Sequence, residues 1–183
     1  MMVAALAPSR VRSLILVSPA NPWSRMGGKR LWLLRKPTVA WAFPKLARPL
    51  RRLNSYFVRR MFGDPSKVTR ELLEGYARPL ALPGTLEHAV RIVRTWNEDM
   101  RELEASLPRI GKIPTLILWG DKDRVVDPRS AERLREHFQN SQAAVISGAG
   151  HLPYEECPEE FCQIVGEFLS RLDAEPHSAD CVQ

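Results

Sequence analysis

What is scarce in this 183-residue chain narrows its class before anything else does. Its three cysteines, Cys157, Cys162 and Cys181, are odd in number, crowded toward the C-terminus and without a C-x-x-C pair. That argues against a disulfide framework and a zinc site, and it suits a reducing cytoplasm. No apolar run approaches the roughly 18 residues of a membrane span. The stretch from Leu31 to Leu34 is cut off by Arg35 and Lys36. The start, Met1 to Ala7, lacks the basic region and long apolar core of a signal peptide. His88, His137, His151 and His177 are scattered, with no ligand-like spacing, so no metal is called for. No glycine-rich phosphate loop follows a strand-like run, and no cofactor is implied.

The remaining composition is ordinary for one soluble domain, with 44% apolar and 26% charged residues. Fifteen prolines are many for a helical bundle; they cluster between Pro19 and Pro83 and predict short, broken helices there. The net charge of +6 is concentrated from Arg25 to Arg60, where Arg30, Arg35, Lys36, Lys45, Arg48, Arg51, Arg52, Arg59 and Arg60 fall among apolar residues. A solvated helical face is the first reading of that stretch, and contact with a membrane surface or an acidic substrate is the second. Nucleic acid is not expected as a partner, because no zinc-finger spacing, basic heptad region or RNA-binding signature occurs.

Three apolar runs read as strands of a parallel sheet. They are Ser13 to Ser18, buried on both faces by its continuous pattern, Pro114 to Gly120, and the weaker Ala143 to Ile146. Pro128 to Phe138 predicts a helix with Asp127 as N-cap, making a β-α-β crossover. Pro158 to Leu172 predicts a second helix, with Phe161, Ile164, Val165, Phe168 and Leu169 on one stripe covering the sheet. From about Pro22 to Pro108 there is no convincing strand but several helical patches, including Ser66 to Tyr76 and Leu86 to Leu107. The organisation expected is a first core segment over residues 1–22, a helical insertion over 23–108, a C-terminal core over 109–172 and a disordered tail over 173–183.

In an open parallel sheet, ligands and catalytic groups gather at the carboxyl ends of the strands. Two strand exits here carry an acid and an imidazole at matching places: Gly120-Asp121-Lys122-Asp123 and Gly148-Ala149-Gly150-His151. A carboxylate bonded to Nδ1 fixes the tautomer and orientation that a histidine base needs. The residues alone leave Asp121 and Asp123 both open as the acid. The bland alternative is a turn-capping aspartate beside a surface histidine.

The segments Ala4 to Pro8 with Val11 to Ala20, Ile113 to Asp123, and Gly148 to His151 together resemble the C-terminal two thirds of an α/β-hydrolase of the esterase, epoxide-hydrolase and dehalogenase grouping. The resemblance runs from Met1 to about Leu172. It implies an α/β class: a partial α/β-hydrolase fold, with C-terminal parallel strands, flanking helices and an inserted helical cap. It also implies that the catalytic acid is the aspartate three residues after the glycine, Asp123, and that His151 is the base. The family's nucleophile lies on a G-x-S-x-G turn ahead of the segment matching Ala4 to Ala7, and no serine here has glycines two before and two after it. Cys157 and Cys162 offer no substitute, since they belong to the covering-helix region.

The resulting expectation is a truncated hydrolase that acts on a small, hydrophobic ester or carbon–carbon substrate by a nucleophile-His-Asp mechanism, with the nucleophile absent from this chain. An epoxide hydrolase or dehalogenase relative is the alternative, with Tyr56 and Tyr76 as donors to an epoxide oxygen. A non-catalytic remnant or binding module is another. Trp23, Trp32, Trp41, Phe43 and Phe57 suggest an apolar-lined cap, and the strand from Arg12 to Ser18 is expected at an open sheet edge prone to self-association.

Overall fold

The computed structural model describes residues 1–24, 33–47 and 52–174. Three strands, β1 (Leu14–Val17), β2 (Thr115–Gly120) and β3 (Ser141–Ile146), form one parallel sheet in the order β1-β2-β3. Leu14 lies opposite Thr115, and Thr115 in turn opposite Ser141. Every residue of β2 is buried, as its unbroken Thr-Leu-Ile-Leu-Trp-Gly run requires of a central parallel strand.

β1 departs from the expectation of burial on both faces. Its outer edge has no strand partner among the described residues, and Ile15 is 37% exposed. The short helix α1 (Met2–Leu6) turns Ala4 and Ala5 into the core and leaves Val3 and Leu6 exposed. Apolar surface is thus uncovered on both α1 and β1.

Four helices are described between β1 and β2: α2 (Pro37–Ala47), α3 (Arg52–Met61), α4 (Arg70–Leu80) and α5 (Thr85–Ile110). The first three are short, as the proline content predicts. The expected helix start at Ser66 is displaced to Arg70. Pro65–Lys67 forms a single tight turn, with the Asp64 carboxylate accepting from the Ser66 N–H, and Thr69 then caps α4 by accepting from the Leu72 N–H at 3.1 Å. α5, 26 residues and so about 39 Å long, belongs to two cores. Near its start Val90 packs with Leu34 and Ala40, and near its end Leu103, Leu107 and Ile110 pack under the sheet. The division expected between 108 and 109 therefore falls inside a continuous helix.

After β2 comes α6 (Ser130–Arg135), and after β3 come α7 (Pro153–Glu156) and α8 (Pro158–Ala174). Asp127 caps the turn before α6 rather than the helix itself, accepting from the Arg129 N–H at 3.0 Å. α6 ends at Arg135, three residues short of the expected Phe138, which still reaches the core through a turn. One face of the sheet is covered by α1, α6 and the end of α5, around Leu16, Ile117 and Trp119. The other is covered by α8, whose Phe161 and Ile164 pack against Leu118, Ile146 and Ala149. Asp173, expected in a disordered tail, lies in α8, where Arg12 donates to its carboxylate at 2.6 Å and to the Leu172 carbonyl at 3.0 Å. Residues 175–183, the rest of that tail, lie outside the described residues, as do Cys181 and His177. No described helix is long and apolar enough to cross a membrane.

Candidate active site

The exits of β2 and β3 are tied together by their backbones. The Lys122 N–H donates to the Ala149 carbonyl at 2.9 Å, and the Asp121 N–H to that of Ile146 at 3.2 Å. Asp121 turns its exposed side chain to the same task, accepting from the Gly148 N–H at 2.7 Å. Gly148 supplies the positive φ of 80° that this loop needs. The residues left two acids open, and the structure separates them: Asp121 fastens two loops, while Asp123 meets the imidazole.

Asp123 Oδ2 and His151 Nδ1 are 2.9 Å apart. The aspartate side chain is fully buried and the histidine side chain 21% exposed. Oδ2 also accepts from the Trp119 indole N–H at 3.1 Å, and Oδ1 accepts from the backbone N–H groups of Val125 and Val126 at 2.7 and 3.0 Å. Burial alone would raise the carboxyl pKa. The bonds from His151, Val126 and Val125 outweigh it and hold Asp123 below its ordinary value, as an anion. With Nδ1 committed to Asp123, Nε2 is the nitrogen left to take and return a proton.

Two features of the neighbouring β1 exit had no clear sequence signal. Ser18, at the exit of β1, is buried with a φ of 42°, and its hydroxyl has no hydrogen-bond partner among the described residues. Asn21, fully buried, donates to the Ser130 hydroxyl at 2.9 Å and so ties the β1 exit to the start of α6. A buried asparagine two residues after Pro19 reads in sequence as a turn residue, and only the fold brings Ser130 to it.

The aromatic residues expected in the cap are divided. Trp23 stacks on His137, with ring centroids 4.9 Å apart, and packs against the main core. Trp41 is exposed, with the Lys45 ammonium 3.6 Å from its ring centre. Phe43 and Phe57 are exposed as well, and Trp32 lies outside the described residues. A cleft of about 960 Å³ lies between α2 and α5, lined by Trp41, Val90, Arg91, Arg94 and Arg101 among others; neither Asp123 nor His151 reaches it.

Tyr56 is exposed, edge-on to Phe57. Tyr76 packs with Val58, Phe62 and Leu152, and its hydroxyl donates to Glu155 at 3.3 Å. Burial, with Tyr154 and Glu155 nearby, pushes the Tyr76 phenol up and keeps it protonated. Cys157 is half-buried and Cys162 exposed, and both are free thiols. Of the basic stretch, Arg35 donates to Asn97 and Arg59 to the Pro65 carbonyl; Arg25, Arg30, Arg48 and Arg51 lie outside the described residues.

Residues 1–158 match the family model described as alpha/beta hydrolase fold. The chain belongs to that family. Among α/β-hydrolases, a monoacylglycerol lipase of Bos taurus is 29% identical over 182 residues, covering 97% of this chain and 52% of the relative. A 2-hydroxy-6-oxononadienedioate/2-hydroxy-6-oxononatrienedioate hydrolase of Paraburkholderia xenovorans is 29% identical over 173 residues, covering 89% and 55%. The crystal structure of wild-type Cfl2 from Burkholderia cenocepacia superposes with a TM-score of 0.71 at 20% identity, over 90% of this chain and 59% of that one, a likeness of fold. The chain thus spans about half the length of these curated α/β-hydrolase relatives.

Proposed function

We propose that this α/β-hydrolase chain carries the acid and base of a nucleophile-His-Asp active site for a small, hydrophobic ester or carbon–carbon substrate. The observation that carries the reading is the buried 2.9 Å contact between Asp123 and His151 Nδ1 at the carboxyl ends of neighbouring strands. In the reaction, His151 Nε2 takes a proton from the attacking hydroxyl and returns it to the leaving group. Asp123 holds the imidazole in the tautomer this needs and stabilises the imidazolium in between. It does not itself take the proton. The chain contains no G-x-S-x-G, and the nucleophile belongs to residues beyond these 183. The monoacylglycerol lipase and the oxo-dienedioate hydrolase among its relatives support the substrate class.

Turnover of a short-chain p-nitrophenyl ester tests this in three proteins: the 183-residue chain, a longer version carrying the residues encoded upstream, and that version with His151→Ala. Activity only in the longer, His151-intact protein is the expected result. Activity in the 183-residue chain would place a nucleophile within it. Silence in all three would overturn the ester reading and turn the search to epoxides and haloalkanes.

A further inference from the structure

Glu156 is a buried carboxylate with no role in the acid–base chemistry above. It ends α7, is 5% exposed, and receives three backbone N–H groups, one from the nearby histidine loop and two from a segment 92–93 residues earlier. Oε2 accepts from Gly150 at 2.5 Å and from Gly63 at 3.0 Å, and Oε1 accepts from Asp64 at 3.0 Å. The Lys67 ammonium reaches the Glu156 backbone carbonyl at 2.7 Å, not its carboxylate. Backbone amides therefore replace the water this carboxylate loses on burial, an arrangement that requires both segments to be in place.

Those segments frame the catalytic histidine. Gly150 precedes His151 directly, and the His151 N–H donates to the Met61 carbonyl at 2.7 Å. Met61 ends α3, and Gly63 and Asp64 follow it. The two peptides on either side of the Gly150 α-carbon are held, one by Glu156 and the other by the same α3–α4 junction that Glu156 grips. Gly150 and the Met61–Gly63 backbone approach so closely that a Cβ on Gly150 would overlap the Met61 carbonyl oxygen. The direction in which His151 leaves the backbone is thereby fixed from both sides.

We infer that Glu156 is a positioning residue for His151: its carboxylate clamps the α3–α4 junction to the histidine loop and so sets the imidazole against Asp123. This rests on the reading of His151 as the base, but the two fail separately, because imidazole orientation is read without turnover.

The test is ¹⁵N NMR of the full 183-residue chain with labelled histidine and backbone, as wild type and as Glu156→Gln. Glutamine keeps the shape but loses the charge, and its NH2 replaces one acceptor. The expected result has two parts: amide exchange at Gly63 and Gly150 accelerates together by about tenfold or more, the worth of one hydrogen bond, and the His151 ring signals move away from the Nδ1–H tautomer. Faster exchange with unchanged His151 ring signals would reduce Glu156 to a fold-stabilising residue and overturn the inference. Should Glu156→Gln fail to fold, Glu156→Asp retains the charge, cannot span both segments, and is read by the same two signals. The wild type alone supplies a further check: a clamp requires Gly63 and Gly150 to exchange through a common opening, and rates differing by more than about tenfold between them would refute it.

Discussion

Asp123 uses its acceptor capacity fully, on an imidazole, an indole and two backbone N–H groups. Each donor has a separate consequence. Asp123→Asn presents an NH2 or a weaker acceptor to Nδ1 and favours the wrong tautomer; in whichever protein turns over the p-nitrophenyl ester, kcat should fall by about 10⁴-fold with little change in KM. Trp119→Phe keeps an aromatic ring but loses the rest of the buried indole, and with it a donor shared by Asp123 Oδ2 and the Val126 carbonyl, at 3.1 and 3.3 Å. Two buried acceptors lose a partner, and urea unfolding should show a loss of about 1–3 kcal/mol. The acid limb of stability follows from the same shell. Asp123 titrates below the ordinary 3.8 when folded, so between the two values the unfolded chain binds more protons. Its contribution is complete above about pH 4–5 and is lost as pH falls through the folded value. Asp123→Asn should flatten that part of the pH–stability curve, and an unchanged acid limb would mean that other carboxylates set it.

At the scale of elements, the sheet was legible because parallel strands leave long apolar runs: all three strands fall within one or two residues of the runs that predicted them. The covering helix α8 was legible from its stripe for the same reason. The starts of α4 and α6 were not, since Pro65 and Pro128 each open a separate turn before the helix begins. The acid and base could be placed at strand exits, but two aspartates were available, and choosing between them took a family resemblance or coordinates. Glu156 gave no signal, because its partners are backbone N–H groups and a backbone carries no sequence code. Where the α3–α4 junction meets the histidine loop, a side chain in place of Gly63 would overlap the Gly148 carbonyl. Gly63→Ala should therefore cost about 3 kcal/mol or more in chemical denaturation, since neither backbone can yield. The same change at Gly75, where nothing lies in reach, should be neutral or slightly stabilising, being within α4.

For the molecule as a whole, β1 has no strand partner on its outer edge among the described residues, and Val3, Leu6 and Ile15 are exposed. The 183-residue chain should self-associate through that edge, with a mass in light scattering that rises with concentration. Ile15→Lys should shift that distribution toward monomer, because a charge at a strand edge opposes pairing. An unchanged distribution would place the contact elsewhere. Asp123 and His151 are 28 residues apart in sequence and come from consecutive β-α units. The pair is brought together by two neighbouring β-α units and steadied from the α3–α4 junction, whose Met61 carbonyl accepts from the His151 N–H. Chemically it is an oriented proton acceptor with an unspecified donor. In the proposed mechanism a hydroxyl, a thiol or a water molecule brought within hydrogen-bond reach of Nε2 would be activated in the same way, so the pair would govern how protons move and leave open which bond is broken.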